Sequence, residues 1–140
     1  MRRKTSKLRI GPRTYFWRVR HAHGESGAPC TDLLSLRSDA PRSAPLFIAF
    51  TGGPGRAVGD GRNLSGIEIR WMEDNGPFLP HGVVSRAEPP AVLNLHRPGV
   101  VRAVLEEALA RGWDGIARAE LDGWTLFDAT HARCGEGDPA

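Results

Sequence analysis

Lys7-Leu8-Arg9-Ile10-Gly11-Pro12-Arg13-Thr14-Tyr15-Phe16-Trp17-Arg18-Val19-Arg20 is the stretch on which the fold turns. Polar and apolar residues alternate from Lys7 to Ile10, Gly11-Pro12-Arg13 supplies a turn, and the alternation resumes from Tyr15 to Arg20 among strong β-formers. An opening hairpin is the expectation. Successive side chains of a strand leave opposite faces, so if Tyr15, Trp17 and Val19 face a core, Phe16, Arg18 and Arg20 face away from it. The hairpin then has an aromatic inner face and a basic outer one.

Outward from the hairpin, the chain continues in short segments. His21 to Thr31 has no periodicity and reads as a connection, and Asp32 to Arg37 reads as a third strand. Leu46-Phe47-Ile48-Ala49-Phe50 is apolar on both faces, which suits the middle of a sheet. Gly52 to Gly66 carries six Gly and one Pro and is expected to be a long loop, a length that in a compact chain often marks a functional or disordered segment. Ile67 to Met72 alternates as a half-buried strand, Phe78 to Ser85 returns as an edge strand interrupted by Pro80, and Pro89-Pro90 separates it from Ala91 to Leu95.

Pro98 to Arg111 is the clearest helix: Pro suits its first turn, Gly112 suits the left-handed position just past its end, and no breaker falls between. At 100° per residue Val100, Val101, Val104, Leu105, Ala108 and Leu109 share one side, with Arg102, Glu106 and Glu107 on the other. Beyond it, Ile116 to Leu121 and Trp124 to Asp128 flank Asp122-Gly123, a pair that favours two-residue hairpin turns. The fold class expected is α+β, a mainly antiparallel sheet of about six to eight strands with one long amphipathic helix (about 98–111) packed on it. A single globular domain over 1–134 is expected, with 1–6 and 135–140 frayed. The Tyr15-x-Trp17-x-Val19 strand together with a late helix closing in Gly112-Trp113-Asp114 resembles a set of short uncharacterised bacterial proteins. That resemblance implies no particular activity, and no functional residue is carried over from it.

Composition narrows the function classes. No apolar run approaches the roughly 20 residues of a membrane helix, and the basic N-terminus is not followed by an apolar segment, so a cytoplasmic protein that does not engage a membrane is expected. Two cysteines, Cys30 and Cys134, are too few for a disulfide framework, and no disulfide-linked partner is expected. The net charge of +3 conceals a polarised chain: Arg2, Arg3, Lys4, Lys7, Arg9, Arg13, Arg18 and Arg20 bring eight positive charges and no acid to the first twenty residues. Such a pattern suits an acidic partner, protein or nucleic acid.

Signatures of catalysis are thin. His21, His23, Cys30, His131 and Cys134 are the right residue types for zinc, but neither local pair is a C-x-x-C and nothing local brings the two ends of the chain together. Cys30, His131 and Asp128 are a nucleophile, base and acid in type alone. Gly52-Gly53-Pro54-Gly55 follows an apolar strand as phosphate loops do, yet lacks the Gly-Lys-Ser/Thr ending. Neighbouring carboxylates on the helix, Glu106 and Glu107, point about 100° apart. No cofactor is expected. The reading that remains is a non-enzymatic interaction module recognising an acidic partner through the basic hairpin face, with Lys7, Arg9, Phe16, Arg18 and Arg20 as contacts and Arg56 and Arg62 of the Gly-rich loop beside them. Its alternatives are a nucleic-acid-binding protein and a small hydrolase or metalloenzyme using the His/Cys residues.

Overall fold

A computed structural model describes residues 6–22, 29–58 and 82–134. The opening hairpin is present: β1 (Ser6–Ile10) and β2 (Arg13–Ala22) pair antiparallel around Gly11-Pro12, and Ser6, expected to fray, is opposite Trp17. β3 (Thr31–Ser38) and β4 (Leu46–Thr51) extend the antiparallel meander. β5 (Arg56–Val58), β6 (Val83–Arg86) and β7 (Ala91–Asn94) then form a separate three-stranded sheet. The chain returns through α1 (Pro98–Ala110) to β8 (Ala119–Asp122), which pairs in parallel with β4, and continues into α2 (Gly123–Cys134), the last described element.

The architecture is thus α+β and mainly antiparallel, with corrections to the expected details. Eight described strands are divided between a five-stranded mixed sheet, β1-β2-β3-β4-β8, and the three-stranded one. β3 holds the middle position, and the apolar β4 lies beside it. Part of the supposed loop is regular, because Gly53 and Arg56 exchange both backbone hydrogen bonds at 3.0 Å and turn the chain into β5. Two helices stand among the described residues, where one was expected. Asp122-Gly123 does not turn a hairpin; the Asp122 carboxylate accepts the Trp124 N–H at 3.0 Å and caps the start of α2. The expected strand from Trp124 to Asp128 is therefore helical, and His131 and Cys134 lie on that helix. Ile67 to Met72, Gly59 to Gly66 and the N-terminal part of the Phe78–Ser85 segment lie outside the described residues. No described helix is long and apolar enough to cross a membrane.

One face of the main sheet builds the core. Tyr15, Trp17, Leu34, Leu36, Leu46, Ile48 and Phe50 are buried there against Val100, Val101, Val104, Leu105 and Ala108 of α1 and Trp124, Leu126 and Phe127 of α2. α1 ends as its sequence dictates: Gly112 takes φ 111°, its N–H bonds to Leu109 and that of Trp113 reaches back to Ala108, closing the helix with a double backbone cap. α2 lies so close to β4 that a Cβ on Gly123 would stand 2.5 Å from the Phe50 ring, so only Gly fits that first position.

The helices are joined at Glu107, whose carboxylate accepts Arg111 Nε of its own helix at 2.8 Å and Arg133 Nε of α2 at 2.9 Å. The hydrogen bond from Arg111, then that from Arg133, holds the Glu107 carboxyl below its ordinary pKa. Stability from a lowered carboxylate is fully present above the ordinary value and is lost as pH falls through the lowered one. Urea melts at neutral and acid pH should therefore show a smaller loss on acidification for Glu107→Gln than for the parent; equal losses would remove Glu107 from the acid transition.

Candidate interaction face

Among the described residues neither helix packs on the opposite face of the main sheet, and strand register makes its rows explicit. Lys7 of β1, Phe16 of β2 and Arg37 of β3 stand side by side. The next row is Arg18, Ser35, Phe47 and Glu120, and the one after it Arg20, Leu33, Ala49 and Asp122. Arg9 lies opposite Thr14 at the near end. The alternation that buries Tyr15 and Trp17 turns each of these side chains outward: Lys7, Arg9, Arg20 and Arg37 are exposed, and Phe16, Arg18, Leu33 and Phe47 are half-buried.

This face is electrostatically divided. Lys7, Arg9, Arg18, Arg20 and Arg37 occupy β1 to β3, and none of them has an ion-pair partner among the described residues, whereas Glu120 and Asp122 mark the β8 edge. Arginines elsewhere are mostly engaged: Arg13 holds Asp39, Arg86 holds Asp128, Arg102 holds Glu106, and Arg111 and Arg133 converge on Glu107. Arg118 pairs with Glu120 at 3.0 Å while its guanidinium covers the Phe47 ring at 4.9 Å. Lys7 Nζ lies 6.0 Å from the centre of the Phe16 ring.

Between the rows are two depressions that meet at Phe47. The first, of about 480 Å³, is lined by Phe16, Arg18, Ser35, Arg37 and Phe47. The second, of about 750 Å³, is bounded by Leu33, Ala49, Thr51, Asp122 and Arg56. Arg56, read from the sequence as a contact in a mobile loop, stands instead at the start of β5 with its guanidinium 5.3 Å from the Trp124 ring. It borders the same face, at the far end from Lys7. Arg62 lies outside the described residues.

The His and Cys residues are dispersed. His21 Nδ1–H donates to Asp32 Oδ1 at 2.6 Å on the inner face, with both side chains almost wholly buried, and the other Asp32 oxygen accepts the Gly82 N–H at 2.8 Å. Asp32 thereby fastens the approach to β6 onto the main sheet, and this is the feature that reading the sequence missed altogether. Cys30 precedes β3, its carbonyl accepting the Gly52 N–H. His131 stacks on Phe127 along α2, and Asp128 is held by Arg86. His23 lies outside the described residues, and the His, Cys, Asp and Glu that are described form no group of three that could hold a metal ion. The adjacent Glu106 and Glu107 are engaged by arginines.

Among the described residues, fold and face together define an α+β sheet with both helices on one side and, on the other, a basic surface without ion-pair partners. No family model matches the chain, and no match was found among curated proteins or solved structures.

Proposed function

We propose that the protein is a non-enzymatic interaction module that holds an acidic partner against the open face of its main sheet. The observation that carries this reading is the gathering of Lys7, Arg9, Arg18, Arg20 and Arg37 on one side of β1, β2 and β3 without a carboxylate among the described residues to neutralise them. Uncompensated like charges repel one another, so the face gains most from a ligand that supplies the missing anions. Phe16 between the cations and Phe47 beside them give that ligand apolar surface as well.

The test is a double charge reversal, Arg18→Glu with Arg20→Glu, measured against labelled polyanions at low salt. Arg20 is exposed and Arg18, though half-buried, has no ion pair among the described residues, so the melting temperature should stay close to that of the parent while binding weakens by at least tenfold. Retention of parental affinity would exclude this face as the contact surface. Unfolding would show that the two arginines support the sheet itself.

A further inference from the structure

Resting on that reading, we infer that the acidic partner is a single-stranded nucleic acid, laid along β2 with its phosphates on the arginines and a base stacked on Phe16. The spacing suits a polymer whose charges repeat. Arg18 and Arg20 are two residues apart on one strand, about 6.7 Å, and the Lys7-Phe16-Arg37 row steps across strands at about 4.8 Å each. Cations are therefore offered as a track. Within it stands Phe16, half-buried and flanked on both neighbouring strands by a cation.

An aromatic ring set among phosphate-binding groups is what an unpaired base can use, because every base has a π-face and stacking needs no sequence match. Neither a carboxylate side chain nor a duplex has such a face to offer: the first lacks an aromatic surface and the second keeps its bases stacked inside. Among the described residues this face presents strands, and a flat strand surface suits an extended single strand better than a major groove. Ser35 Oγ, in the depression between Arg18 and Phe47, is buried without a hydrogen-bond partner among the described residues, a polar group placed where a base edge or sugar hydroxyl can meet it. Glu120 and Asp122 close the β8 side to phosphates and confine the path to the β1–β3 half.

The experiment compares three probes by fluorescence anisotropy on the intact chain: a short oligo(dT), a duplex of the same length, and poly-L-glutamate. Oligo(dT) should bind tightest. With four cations engaged, its log–log salt slope should be about −3, from roughly −0.7 per phosphate neutralised. Phe16→Leu should weaken oligo(dT) roughly tenfold and leave poly-L-glutamate unchanged, since only a base uses the ring. Arg37→Ser, at an exposed position, gives a second variant that should weaken every probe and reduce the slope by about 0.7. If poly-L-glutamate matches oligo(dT) and Phe16→Leu changes neither, the partner is an acidic protein; the nucleic-acid assignment falls and the acidic-partner reading stands. A preference for the duplex likewise overturns the single-strand assignment. Should the parent bind none of the three, or bind them equally well after reversal of Arg18 and Arg20, both readings fall together.

Discussion

Replacing Asp32 with Ala is expected to cost about 3–5 kcal/mol, the range for removing one partner of a buried polar pair. Asp32 is fully buried, and two donors converge on it: the His21 ring at 2.6 Å and the Gly82 backbone N–H at 2.8 Å. Deleting the carboxylate leaves both without that acceptor in a place where water does not reach the side chain. Asp32→Asn preserves the volume but replaces one acceptor oxygen with a donor amide, so it should lose less than Ala and still be clearly weakened. Urea unfolding of the parent and both variants measures the order. A loss below about 1 kcal/mol for Ala would show that the link between the two sheets does not depend on this residue.

Leu105→Ala should be the other severe change, at about 2–5 kcal/mol. Leu105 is fully buried at the middle of α1's apolar side, where it belongs to the cluster formed with Leu34, Ile48 and Phe127. Both the transfer of its removed carbons and the cavity left between helices and sheet contribute to the loss. Thermal or urea melts give the value directly, and a cost under about half a kcal/mol would mean that the helix packs by another side.

The residues that made these predictions possible were unequally legible. Leu105 could be placed from periodicity alone, since Pro98, Gly112 and the apolar spacing between them all point to one helix. The hairpin was equally plain, because Gly11-Pro12 separates two alternating runs and Tyr15 and Trp17 are indeed buried. α2 was misread for an identifiable reason: Asp-Gly is chemically suited to a hairpin turn, but the same Asp side chain caps a helix, and the spacing of Trp124, Phe127 and Thr130 on a helical side was the competing signal. A strand of three residues, such as β5, is too short for a period of two to stand out, whereas β7 falls within the Ala91–Leu95 segment that Pro89-Pro90 marks off. Asp32 was illegible because a buried carboxylate is intelligible only once its donors, fifty residues apart in one case, are known. On the open face, Arg18 and Arg20 followed from alternation within one strand, whereas Arg37, Ser35 and Phe47 joined them only through the register between strands.

The parallel pairing of β4 with β8 also governs the order in which the molecule can be completed. β1 to β4 form a meander of neighbours in sequence, each able to pair as soon as it leaves the ribosome. β4's second edge must wait for residues 119–122, made after the whole small sheet and α1. Through that interval Leu46-Phe47-Ile48-Ala49-Phe50 presents an apolar strand with an open row of amides and carbonyls, the kind of edge at which nascent chains join one another. α2 follows β8 directly and seats Gly123 against Phe50, so one late segment both closes the sheet and covers the ring that was left bare.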